Sequence, residues 1–322
     1  MARVVEPSAL AGIDIAEWLR TVLAGDADEP LELLSRERVL GGTHVKEIVR
    51  CRRGRETVTL LCKYDGHPDI HVALGHRRGV AYEAEVYERL LQSLTLTKPE
   101  LLAVLRAGDG RPRAFAIQHL EGLHASKWPT PDGVLEAARW IGRFHAATKG
   151  LAETPSCSFL IRYDAPYYAG WARRTREFAA PLGHDLPWVS PLCRRVEGEV
   201  RKLFAGERTV VHGEYVSKNV LVSERGVFPI DWESAAVGLA EIDLATLTDG
   251  YEPAEAAEVE AAYVRARWGD RVPDTFRRSL LAARLYVQLR WLGDRPEWTV
   301  DPDVAWRFEA LRAAAAAVGF RA

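Results

Sequence analysis

The chain has 322 residues and a formal net charge of −2. It is long enough to bury a full core, and too near neutral for a nucleic-acid partner held by bulk electrostatics. Hydrophobic residues make up 48% and charged ones 27%, the balance of an ordinary globular protein. No apolar run is long enough to span a membrane, the start Met1 to Glu6 lacks a signal-peptide core, and a cytoplasmic protein is expected. Cys51, Cys62, Cys157 and Cys193 lack metal-ligand spacing and read as free thiols, and the histidines form no zinc-like cluster.

In chain order, Ile15, Trp18, Leu19 and Val22 recur at helical spacing, and Gly25 stops the pattern. Residues 1–37 are thus expected to form a helical extension. From Arg38 the pattern changes to strands: Arg38 to Leu40, a Gly41-Gly42 turn, Val45 to Arg50, a second turn at Arg53-Gly54-Arg55, then Thr57 to Lys63. A glycine turn lets backbone N–H groups approach phosphate closely, and a lysine ending the third strand can pair with it. His67 to Gly79 is polar and basic, as a surface loop is. A helix is expected over 80–91, then a hairpin of Leu101 to Leu105 and Arg113 to Gln118.

Strands give way to helices near Gly122. Val134, Ala138, Ile141 and His145 share one face of a helix opened by Pro131-Asp132 and ended by Gly150. The stretch with Tyr163, Tyr167, Tyr168, Trp171, Phe178 and Trp188 suits either a core or a wall that stacks on a sugar or cation. Glu252, Glu255, Glu258 and Glu260 present charge either to a basic acceptor or to solvent. Leu281, Leu285, Gln288 and Leu292 mark a late helix, and the alanine-rich run 312–319 the last.

Residues 210–233 carry the chemistry. Two apolar strands, 220–222 and 227–230, flank the turn Ser223-Glu224-Arg225-Gly226. A loop with His212, Glu214, Lys218 and Asn219 precedes them, and Asp231 and Glu233 follow. Carboxylate and amide oxygens of this kind suit Mg²⁺, which takes one or two carboxylates plus phosphate oxygens. A loop acid, an asparagine five residues on, a hairpin and an aspartate is the layout of a phosphoryl-transfer centre. In it Glu214 orients or deprotonates the acceptor hydroxyl, while Asn219 and Asp231 hold the metal.

The runs His212-Gly213-Glu214 to Asn219 and Ile230-Asp231-Trp232-Glu233 resemble the signature of the aminoglycoside phosphotransferase and choline kinase-like superfamily. Ala236-Val237-Gly238 and Asp243-Leu244-Ala245 extend the resemblance, as does the Gly41-Gly42 turn. One departure is Glu214, which stands where the family has aspartate; the same carboxylate sits one methylene further out. The resemblance implies that Glu83 anchors Lys63, with Glu85 as the second choice, and that Asp243 buttresses the catalytic loop. It further implies that the Gln118 carbonyl and the Leu120 amide meet adenine at the hinge. His145 is expected to be a core histidine bonded to the loop, and His212 to hold the loop backbone.

The implied fold is kinase-like α+β, a small lobe with a mostly antiparallel sheet and one helix before a larger helical lobe. The implied domains are an extension at 1–37, a phosphate-binding lobe at 38–121 and a helical lobe at 122–322 with the catalytic loop, metal site and acceptor pocket. The implied activity is Mg·ATP-dependent phosphorylation of a hydroxyl on a small molecule, by a monomer or homodimer without nucleic-acid or membrane partners. Kinase action on a serine or threonine of a peptide natural product stays open, as does a silent nucleotide-binding role.

Overall fold

The computed structural model describes residues 17–19, 31–40, 44–65, 72–128 and 132–320. They fall into two compact units. The first takes the described residues up to Val72, His76–Gly122 and Ser223–Ser234; the second takes Ala73–Gly75, Leu123–Val222 and Ala235 onward.

In the first unit β1 (Leu31–Val39), β2 (Val45–Arg53), β3 (Glu56–Tyr64), β4 (Leu101–Arg106) and β5 (Pro112–Gln118) form one antiparallel sheet in the order β1-β2-β3-β5-β4. Alternation of side chains along each strand puts Val49 and Cys51 of β2, Leu60, Cys62 and Tyr64 of β3, and Ala114 and Ala116 of β5 into one core with Trp18, Leu19 and Leu31. Helix α1 (Val80–Arg89) packs against β5 and buries Val80, Ala84, Val86 and Tyr87. Its Glu83 is buried on that same face.

Two expectations need correction here. Strand β1 begins at Leu31, inside the stretch read as a helical extension. It is an edge strand on which only Leu31 is buried, with a bulge at Leu34 and exposed charges at Glu32, Arg36, Glu37 and Arg38, so the alternating apolar signal never appears. Residues 223–234 belong with the first unit and not with the helical lobe, because their contacts run back to it. Thr97 Oγ1 donates to the Val227 carbonyl at 2.7 Å in β10 (Gly226–Pro229), and the Trp232 N–H donates to Glu83 Oε1 at 3.2 Å.

The second unit is helical. Helix α2 (Asp132–Thr148) packs on α6 (Pro253–Trp268). Helices α3 (Ala165–Phe178) and α4 (Val189–Leu203) pack together, and α7 (Phe276–Leu292) lies against α3, the short α5 (Glu241–Leu247) and α9 (Trp306–Ala317). Among the described residues a four-residue helix α8 (Pro296–Thr299) joins the last two. Short strands β7 (Ile161–Arg162), β11 (Ala236–Leu239) and β8 (Arg208–Val211) make one small sheet, and β6 (Leu123–His124) pairs with β9 (Val220–Ser223) through Leu123 and His124. The aromatic stretch is core. Tyr163 and Tyr167 stack at 3.9 Å, Tyr167 and Tyr286 share a hydroxyl bond of 2.8 Å, and Tyr168 and Trp171 are buried beside them. Glu252 at the N-cap of α6 and Glu255 and Glu258 on it are exposed, while Val259 and Tyr263 of the helix are buried.

Candidate active site

Lys63 is the penultimate residue of β3, with its ammonium drawn inward. Nζ donates to both Glu83 carboxylate oxygens at 2.9 Å and also to Asp231 Oδ1. Lys63 and Glu83 are buried, and the Asp231 side chain is 34% exposed, so Asp231 is the open carboxylate of the three. Burial alone would depress the lysine, but Asp231 and Glu83 outweigh it and hold the ammonium above its ordinary range. One ammonium against two carboxylates leaves one negative charge, displayed at Asp231. Asp231 itself has a φ of 61°, a left-handed conformation that aspartate tolerates better than most residues but that still costs about 1–3 kcal/mol. Bonds from Lys63 to its carboxylate and from the next residue's N–H to Glu83 flank it. Beside this triad, His44 Nε2 lies 2.6 Å from Glu233 Oε2, with both side chains buried.

The second unit holds the loop 212–219. Asp243, at the start of α5, accepts the His212 N–H on Oδ2 at 2.7 Å and the Gly213 N–H on Oδ1 at 2.9 Å. Gly213 has a φ of 81°, where a side chain would be strained. Behind Asp243 runs a directed chain of hydrogen bonds. Arg267 Nη1 donates to the Tyr263 hydroxyl at 2.7 Å, that hydroxyl meets His145 Nδ1 at 2.9 Å, and His145 Nε2 meets Asp243 Oδ2 at 3.1 Å. Arg267 also reaches Glu241 Oε1 at 3.0 Å. Burial lowers the pKa of His145 against the pull of Asp243, so the ring is neutral. A neutral ring donates from one nitrogen and accepts at the other: Nε2 donates to Asp243 and Nδ1 accepts from Tyr263. His145 therefore reaches the loop through Asp243. His212 holds the backbone directly, its Nδ1 accepting the Glu214 N–H at 3.4 Å.

Glu214 is buried in this loop, with Arg290 Nη1 of α7 at 3.8 Å from its Oε1. Asn219 donates from Nδ2 to the Glu214 carbonyl at 3.1 Å, which commits the amide nitrogen and leaves the Oδ1 oxygen for a ligand. Lys218 is exposed. Gln118 ends β5 with its N–H donated to the Glu100 carbonyl at 2.8 Å, and Leu120 follows two residues later, half-buried. Gly41 and Gly42 lie outside the described residues. Among the described residues no three His, Cys, Asp or Glu side chains cluster to hold a metal alone. The part-exposed Asp231 carboxylate in the first unit and the oriented Asn219 amide oxygen in the second are each hard donors, of the kind that suits Mg²⁺, which draws its other ligands from phosphate and water.

The sequence matches the phosphotransferase enzyme family over residues 69–283, well over half of the chain. The chain belongs to that family. Similar solved structures share its fold. One is a GDP complex of wild-type aminoglycoside 2'-phosphotransferase-IIIa, with 13% identity over 96% of this chain and 99% of that one and a TM-score of 0.58. The choline kinase LicA from Streptococcus pneumoniae is 14% identical over 94% and 97%, with a TM-score of 0.56. A putative fructosamine-3-kinase from Haemophilus somnus 129PT is 12% identical over 94% and 96%, with a TM-score of 0.59. No curated protein sequence matches the chain. The kinase-like fold expected from the motif is therefore the fold of this phosphotransferase. Arg290 and the His44–Glu233 pair went unnoticed in the sequence. Arg290 left one trace, as the one charged residue in the run Leu285 to Leu292.

Proposed function

We propose that this phosphotransferase moves the γ-phosphoryl group of Mg·ATP to a hydroxyl of a small molecule, whether an aminoglycoside-like antibiotic, an amino alcohol, a sugar or a nucleoside natural product. The observation that carries this reading is the buried Lys63–Glu83 pair with Asp231 open beside it. Lys63, with Gly41 and Gly42, holds the phosphates, and Glu83 keeps the ammonium in place. The Gln118 carbonyl and Leu120 amide receive adenine. Asp231 and Asn219 hold Mg²⁺, which when bound offsets charge on the β- and γ-phosphates. Glu214 takes the proton of the acceptor hydroxyl as its oxygen bonds to phosphorus, the bond to the β-phosphate oxygen breaks, and ADP leaves. The near-neutral composition favours a small-molecule acceptor over a nucleic acid, and the same reading takes the enzyme as a cytoplasmic monomer or homodimer.

The test is ADP release by the purified chain with Mg·ATP against pools of aminoglycosides, nucleosides, sugars, amino alcohols and Ser/Thr peptides. Asp231→Asn serves as the blank and is expected to abolish metal-dependent turnover. Glu214→Gln is expected to lower turnover roughly 10²-fold or more, and activity near wild type would remove Glu214 from its role. Nucleotide binding with no responsive pool and no basal hydrolysis would leave only a silent binding protein.

A further inference from the structure

The proposed base has an arginine for a neighbour. Arg290 projects from α7 with its side chain 1% exposed, Nη1 lying 3.8 Å from Glu214 Oε1 and Cζ lying 4.4 Å from the Trp291 ring centroid. A guanidinium does not lose its proton in a protein, so a positive charge is fixed beside this carboxylate. Three other acids of this unit are likewise engaged. Asp249 bonds Arg307 at 3.0 Å and Gln288 at 2.7 Å, Glu260 pairs with Arg284 and with Arg277, and Glu241 pairs with Arg267. Glu252, at the N-cap of α6, and Glu255 and Glu258 on it are exposed to solvent.

We propose that Arg290 sets the charge class of the acceptor: the hydroxyl compound is uncharged or anionic at its reacting end, a sugar or a sugar acid in kind, and not a polycation. This rests on the reading of the chain as a hydroxyl kinase with Glu214 at the acceptor. A polycation must exchange the water around its ammonium groups for carboxylates that have no other cation to serve. At Glu214 that position is taken, and an ammonium arriving within a few ångströms meets a second positive charge in surroundings that screen it poorly. Juxtaposed like charge is how sites reject a wrong partner. Arg290 here is a positioning and selectivity residue.

The deciding experiment is calorimetric titration of the full chain, with Mg²⁺ and a non-hydrolysable ATP analogue present, by an aminoglycoside carrying several amines. Wild type is expected to show no binding, Arg290→Gln to bind at least about tenfold more tightly, and Arg290→Lys to exclude the probe as wild type does. Wild-type binding equal to that of Arg290→Gln, or phosphorylation of the probe by wild type, overturns the proposal. Absence of binding in both folded proteins overturns the role given to Arg290. If melting curves show that Arg290→Gln does not fold, the wild type decides alone. Its ADP release over an amino sugar, the parent neutral sugar and the matching uronic acid is expected to favour the last two by about tenfold or more, and preference for the amino sugar overturns the proposal. Failure of the kinase reading shows separately, as the absence of any Asp231-dependent ADP release, and leaves the binding result standing.

Discussion

Replacing Lys63 by methionine keeps the length of the stem and removes a charge that two carboxylates share. Glu83, fully buried, would then sit beside Asp231 without its cation. Breaking a buried pair by removing one partner costs about 3–5 kcal/mol, mostly the penalty of the orphaned charge. Lys63→Met is therefore expected to lower stability by about that much and also to abolish turnover. In Lys63→Met/Glu83→Gln the stability loss should largely return while activity does not, because no buried charge is stranded but the phosphates still lack their cation. Denaturant midpoints beside ADP release check this; a double variant no more stable than the single one would mean that Asp231, and not Glu83, dominates the penalty. The Lys63–Glu83 contact is the one that the family resemblance implied, while the metal roles of Asn219 and Asp231 belong to the proposed function. Arg290 and His44 were not legible in the sequence, because their partners, Glu214 and Glu233, lie 76 and 189 residues away and nothing in either local stretch encodes the meeting.

Helix α2 can approach α6 closely because position 142 has no side chain. A Cβ on Gly142 would stand 2.8 Å from the Tyr263 carbonyl oxygen, 3.1 Å from the Ala266 Cβ and 3.3 Å from the Arg267 nitrogen. Two of those atoms are backbone, which cannot turn aside, so the helices must separate. Tyr263 and Arg267 are also the far end of the chain that runs through His145 to Asp243 and the loop. Gly142→Ala is expected to cost about 1–3 kcal/mol as overpacking does, and to lower kcat with KM for ATP little changed. A variant as stable and active as wild type would show that the helices are not held at this distance. At this scale the sequence was informative where burial was one-sided, as for β2, β3, α1 and α2. It caught only the end of β1 at Arg38 and Val39, because the edge position exposes nearly every residue of that strand, and it was silent for β6, β7, β8 and β11, which have two to four residues each and too few turns of any period to read. The aromatic stretch of α3 left core and pocket wall equally open, because both reward the same residues; only the tyrosine packing distinguishes them.

For the whole molecule, the buried network predicts an acid limb to stability. His145 is neutral in the folded chain because burial lowers its pKa, while in the unfolded chain a histidine titrates near 6.5. Between those two values the unfolded state holds a proton that the folded state refuses. Stability therefore rises with pH through this window, is fully present above about 6.5, and is lost as pH falls through the folded value. One group changes stability by at most about 1.4 kcal/mol per pH unit, which other carboxylates and histidines would mask in a single curve. The difference between wild type and His145→Gln isolates it, since every other group is common to both. Glutamine can donate to Asp243 and accept from Tyr263 but takes up no proton. Wild type is expected to be the more stable above pH 7, with its advantage shrinking as pH drops below 6.5, measured by urea midpoints at constant ionic strength. A difference that stays flat from pH 8 to pH 5 would mean that His145 does not resist protonation, and that the loop is not held through a neutral imidazole.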